Sequence, residues 1–160
     1  MEIDMRKRLM TLTFLLGSAG FALAHGSAHD GQSASGQLGN PKKATRTIKL
    51  ELKEYSFSAA ELSVKPGETV KFVVTNSGRL KHELTIGTAA EQEEHRKEME
   101  AMSDMKHDES KHAMPENSIH VGPGQTRELV WTFATAGKLE FACNYPGHAD
   151  LGMEGKITVQ

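Results

Sequence analysis

Phe141-Ala142-Cys143-Asn144-Tyr145-Pro146-Gly147-His148-Ala149-Asp150-Leu151-Gly152-Met153 sets a thiol, an imidazole and a thioether within eleven residues, at Cys-x4-His-x4-Met spacing. The stretch lies between two apolar segments, Leu139 to Cys143 and Gly155 to Val159, that read as the last two strands. Cys143 therefore ends a strand and is held by its ladder. Pro146-Gly147 turns the chain back, which lets His148 approach Cys143, and Gly152 allows a second tight bend before Met153.

Further strand signals precede this pair in close succession. Ile48, Leu50 and Leu52 alternate with Lys49, Glu51 and Lys53. Val70, Phe72 and Val74 alternate with Lys71 and Val73 after a Lys65-Pro66-Gly67-Glu68 turn, and Leu84 and Ile86 alternate after His82. Leu129, Trp131 and Phe133 alternate after Gly122-Pro123-Gly124. Period-2 runs with Gly/Pro punctuation predict an all-β, antiparallel sandwich or barrel with one dry face per strand. One segment departs from this pattern. Thr88 to about Met105 is built of Ala, Glu, Gln, Lys, Arg and Met, which favour helix. Thr88-Ala89-Ala90-Glu91 reads as a capping box at its start. Lys106 to Asn117 is polar, contains Pro115 and reads as a loop, so residues 88–117 form a helix-and-loop insertion between two strands.

The amino-terminal part has a different character. Arg6, Lys7 and Arg8 precede an apolar run from Leu9 to Phe21, and Ala22-Leu23-Ala24 gives a small-x-small site. This is the pattern of a cleavable signal peptide over residues 1–24, and the run is shorter than the roughly 20 residues that span a bilayer. The mature chain is expected to be soluble, exported to a bacterial periplasm, monomeric and without a membrane-inserted segment. Its 136 residues suffice for one core, and its net charge of −3 argues against nucleic acid as a partner. Residues 25–44, rich in Gly, Ser, Ala, Gln and His, read as a flexible arm ahead of a domain over residues 45–160.

Cys143 is the chain's one cysteine, in a compartment where cysteines usually pair. Its neighbours point to a metal. A trigonal site of two imidazoles and a thiolate with a weak axial Met is the donor set of a blue-copper centre. The second imidazole should come from a separate strand, and His82, ahead of the alternating Leu84 and Ile86, is the candidate.

With these residues in view, the chain resembles the cupredoxins, the group of plastocyanin, azurin, amicyanin and rusticyanin. Cys143-Asn144-Tyr145-Pro146-Gly147-His148 is similar to the azurin-like Cys-x-x-Pro-Gly-His loop, and the four-residue gap before Met153 is more like rusticyanin. The resemblance covers roughly Thr45 to Gln160 and implies a Greek-key β-sandwich holding one type 1 copper through His82, Cys143, His148 and Met153. Other cupredoxins commonly place Asn beside the upstream His, where this chain has Lys81 and Glu83, so the surroundings of the thiolate should differ.

An enzyme is not expected. Related copper oxidases and nitrite reductases wire the type 1 copper to a catalytic copper through His residues flanking the Cys, and here the flanks are Ala142 and Asn144. A dinuclear copper centre would need a second Cys.

Copper-friendly residues also abound outside the main site. Met99, Met102, Met105 and Met114 fall in the insertion with His95, His107 and His112. On a helix His95, Met99 and Met102 share one face; they serve either as auxiliary copper ligands or as packing against the sandwich. His120, near a strand start, reads as structural. Cleavage after Ala24 would expose His25, followed by His29, and an N-terminal His chelating Cu(II) through amine and imidazole resembles the arrangement in periplasmic copper-binding proteins and lytic polysaccharide monooxygenases. The chain as a whole resembles the periplasmic cupredoxins associated with copper tolerance. The expected function is copper homeostasis, by sequestering or oxidising Cu(I), with copper ions and a redox protein as partners. The alternatives are a dedicated electron shuttle between respiratory partners and a sandwich without metal.

Overall fold

The structure is a computed structural model that describes residues 33–104 and 114–160. Ten strands occur among the described residues: β1 (Gly36–Leu38), β2 (Arg46–Lys53), β3 (Ser56–Phe57), β4 (Glu61–Val64), β5 (Thr69–Asn76), β6 (His82–Gly87), β7 (Ser118–Val121), β8 (Thr126–Phe133), β9 (Gly137–Ala142) and β10 (Glu154–Val159). They form two five-stranded sheets, in the orders β1-β8-β5-β2-β3 and β4-β10-β9-β6-β7. The chain crosses repeatedly between the sheets, and the result is the Greek-key type of sandwich that the resemblance implies.

The alternating residues meet between the sheets. Leu50, Leu52, Val70, Phe72, Val74, Leu129, Trp131 and Phe133 from one sheet join Leu84, Ile86, Leu139, Phe141, Ile157 and Val159 from the other in one buried cluster. The ladders are not all antiparallel, however. β2 pairs with β5, and β4 with β10, in parallel. Alternation reports which face of a strand is dry and carries no information about the direction of its neighbour.

The helix of the insertion forms as expected. Helix α1 (Ala89–Asp104) starts on the capping box, with Thr88 Oγ1 accepting from the Glu91 amide at 3.2 Å and Glu91 Oε2 accepting from the Thr88 amide at 2.6 Å. It packs against β6 and β9. This cover explains why all six residues of β6 are buried. His82, Leu84 and Ile86 alternate with Glu83, Thr85 and Gly87, so one set lines the sandwich and the other faces the helix.

The amino-terminal arm calls for a correction from Ser33 onward. β1 pairs with β8 from Gly36↔Phe133 to Leu38↔Trp131, and the buried Trp131 donates from Nε1 to the Ser35 carbonyl at 3.1 Å. Ser33 Oγ donates to Glu91 at 2.5 Å, and Asn40 caps a 3-10 turn over Pro41–Lys43. A three-residue strand is too short to show a period, and Gly36 with the preceding Ser33 and Ser35 reads as a linker; the free edge of β8 supplies the pairing.

Candidate metal centre

Three donors converge at one end of the sandwich. His82 opens β6, Cys143 follows β9, and His148 sits on the loop between β9 and β10. Cys143 Sγ lies 3.3 Å from His148 Nδ1 and 4.0 Å from His82 Nδ1, and the two Nδ1 atoms are 3.3 Å apart. A circle through three atoms so spaced has a radius of about 2.1 Å, close to metal–imidazole and a little under metal–thiolate bond lengths. Among the described residues this is the one cluster of three His, Cys, Asp or Glu side chains close enough to share an ion. The donor set is that of a type 1 copper site, so the residues fit that metal.

The loop holds these atoms through its backbone. The Cys143 amide donates to the Met153 carbonyl at 3.0 Å, and the Met153 amide donates to the His148 carbonyl at 3.1 Å. His148 donates its own amide to Tyr145 at 2.9 Å, closing the turn at Pro146-Gly147. Gly147 has φ of +79°, a conformation that residues with a Cβ rarely take. Met153 is fully buried and belongs to the same cluster as Cys143. The structure therefore ties Met153 to both neighbouring donors through main-chain bonds.

The electrostatics suit a metal. Burial, with the Glu83 charge adding to it, pushes the Cys143 thiol up to about 12 against the pull of the Glu83 and Tyr145 amides. A thiol without metal thus keeps its proton at neutral pH, and an incoming cation must displace it. Burial holds both His82 and His148 below the ordinary imidazole value, with repulsion between the two adding to the effect at His82. Both are neutral at pH 7 and offer lone pairs. His148 is half-buried, and the Tyr55 ring meets it edge-on at 5.1 Å.

Beneath the thiol lies a group whose role sequence reasoning missed. Glu83 is fully buried, and its amide donates to Cys143 Sγ at 3.4 Å. Its carboxylate accepts from the Asn144 amide at 2.8 Å and the Thr85 hydroxyl at 3.1 Å. His95 Nε2 stands 3.3 Å from Oε1, and His120 Nε2 stands 3.2 Å from Oε2. Burial alone would raise this carboxyl, but His120, His95 and the Asn144 amide outweigh it and hold the group at about 2. An ionised glutamate thus braces the loop, in keeping with the expectation that Lys81 and Glu83 beside His82 change the surroundings of the thiolate. Asn144 is locked from the other side, its Nδ2 donating to Gln92 of α1 at 2.9 Å. The available signal was an acidic residue between His82 and the alternating Leu84 and Ile86.

The auxiliary candidates divide. His95 and Met99 are buried, and Met102 is half-buried. His95 points to Glu83, so the face shared by these three turns toward the sandwich. Met114 is exposed. His25, His29, Met105, His107 and His112 lie outside the described residues.

Comparison with known proteins agrees with this site. Residues 44–160 match the model of the copper-binding proteins of the plastocyanin/azurin family. Over 142 residues the chain is 42% identical to the copper-resistant cuproprotein CopI of Rubrivivax gelatinosus, covering 88% of this chain and 82% of that one. It is 38% identical to CopI of Pseudomonas aeruginosa, covering 97% of this chain and 98% of that one. Among solved structures, a dithionite-reduced auracyanin of Roseiflexus castenholzii shares the fold at a TM-score of 0.59 and 24% identity, over 73% of this chain and 98% of that one. With the converging His82, Cys143 and His148 inside the matched span, the chain belongs to the plastocyanin/azurin family of copper-binding proteins.

Proposed function

We propose that the protein is an exported, periplasmic copper-tolerance protein whose type 1 site sequesters or oxidises copper, and that it is not an enzyme of the multicopper kind. The observation that carries this reading is the triangle of His82, Cys143 and His148, sized for one metal ion. The name that the relatives bear, copper-resistant cuproprotein, supports tolerance as its purpose. In this reading Cys143 is the thiolate ligand, His82 and His148 are the imidazole ligands and Met153 is the axial thioether. These residues would hold one copper ion, which would supply one-electron redox chemistry toward Cu(I), with a redox partner protein as the electron acceptor. His148, the half-exposed ligand beside Tyr55, is the point at which electrons enter and leave.

The test is growth of a copper-sensitive bacterial strain carrying either the wild-type chain or Cys143→Ser. Wild type should restore growth on copper and Cys143→Ser should not. Full rescue by Cys143→Ser would remove the site from the function. A shuttle between respiratory partners is the second reading, favoured by the half-exposed edge of His148. It predicts slowed electron transfer with tolerance intact. Fractionation of the same cells tests export, by recovery of the chain in the periplasmic fraction without residues 1–24.

A further inference from the structure

A cleft of about 270 Å³ opens beside α1, between the helix, the segment leading into β7 and the arm at Ser33 and Gly36. Its charged lining is acidic: Glu91, Glu94 and Glu98 from the helix and Glu116 from the facing segment. Glu91 is already engaged by Ser33 and by the Thr88 amide. The one imidazole on the lining is His95, which is 6% exposed.

The two nitrogens of His95 have different surroundings. Nε2 faces the Glu83 carboxylate at 3.3 Å. A carboxylate only accepts hydrogen bonds, so Nε2 carries a proton. Burial lowers this imidazole, but the Glu83 and Glu98 carboxylates outweigh it and raise the ring above its ordinary value, so an incoming cation must displace a proton from Nδ1. Nδ1 is buried without a hydrogen-bond partner. Its neighbour is Glu98 Oε2 at 3.6 Å, three residues along the same helix face. That separation is too long for a hydrogen bond. It does match two donors that each sit about 2.0–2.2 Å from a common ion, since these stand about 3–3.7 Å apart. A buried imidazole that gives its other N–H to a carboxylate is also the usual way a protein fixes a metal-binding histidine.

The geometry points to a second metal site in this cleft, in which His95 Nδ1 and the Glu98 carboxylate bind a borderline divalent cation, with Cu²⁺ preferred. Imidazole and carboxylate are suited to such ions, and Cu²⁺ stands highest among the divalent first-row metals for nitrogen and oxygen donors. Glu94 and Glu116 add negative charge around the ion, and water completes its coordination. The site is separate from the donors at the end of the sandwich and uses none of them. His95 nonetheless links the two, because Glu83 carries its Nε2–H on one side and donates its amide to Cys143 on the other.

Titration of the full, copper-loaded protein with Cu²⁺ beyond the first equivalent, followed by electron paramagnetic resonance, tests the proposal. The wild type should show a second Cu²⁺ signal of ordinary wide hyperfine splitting, with one coordinated imidazole in the pulsed spectrum. Glu98 is largely exposed, so Glu98→Ala should fold normally. It should weaken the second ion by about tenfold or more and leave the type 1 spectrum unchanged. His95→Gln should abolish the signal, whereas His25→Ala with His29→Ala should leave it in place. The absence of a second bound ion would overturn the site. So would a second ion that is insensitive to Glu98→Ala, or one that is lost with His25 and His29. The type 1 spectrum reports on the first site in the same samples, so failure of that reading would be seen separately.

Discussion

Replacing Glu83 by Gln keeps the shape of the side chain and removes its charge. The wild-type carboxyl is held at about 2 in the fold against an ordinary 4.5. That gap corresponds to about 3 kcal/mol of stability, because each tenfold change in proton affinity is worth about 1.4 kcal/mol. A carboxyl with a depressed value contributes fully above its unfolded value and loses the contribution as pH falls toward the folded one. The difference between wild type and Glu83→Gln should therefore be about 3 kcal/mol at pH 7 and about 1 kcal/mol at pH 3. Gln can still accept from the Asn144 amide and Thr85, but it no longer offers an anion to His95 and His120. Urea unfolding of the metal-free protein at both pH values measures the gap. A difference under about 1 kcal/mol at pH 7 would mean that Glu83 and its two histidines do not form a net stabilising cluster, as happens for many buried ion pairs. An equal loss at pH 3 and pH 7 would show that packing, and not charge, is responsible.

Three further outcomes are expected. Copper titration of Cys143→Ser should give no intense visible thiolate-to-copper band, and a band that survives would displace Cys143 from the ligand set. Copper affinity should rise about tenfold per pH unit between pH 7 and 9, since binding releases the Cys143 proton held up to about 12; competition titrations across that range would show a flat profile if the thiol were already ionised. Gly155→Ala places a Cβ 2.1 Å from the Phe141 ring, which is buried and meets Phe57 edge-on at 5.0 Å. The substitution should cost about 2–3 kcal/mol by overpacking, and thermal unfolding at the wild-type midpoint would contradict that.

The sequence alone determined the metal loop, because its donors lie within eleven residues and their spacing is local. It determined the strands through alternation, as with Val70, Phe72 and Val74, and the start of α1 through Thr88 and Glu91. Each of these is a relation between near neighbours in the chain. His82 was legible because it stands at a strand start, although its 4.0 Å approach to Cys143 required the fold.

What the tertiary structure decided depends on pairings over long separations. The parallel partners of β2 and β4, and the docking of Gly36–Leu38 on β8, arise from backbone edges that leave no pattern in the side chains. The same holds for Glu83. In the sequence it is a charge on the alternate face from Leu84 and Ile86, and one face of an ordinary sandwich strand is wet. Only α1, folding across β6, takes that face out of water and brings His95 to the carboxylate with β7 supplying His120. Burial then makes the pairing necessary, since an isolated charge there would be costly. The face shared by His95, Met99 and Met102 was readable from helical spacing. Whether it met solvent, metal or protein depended on which way the helix lay.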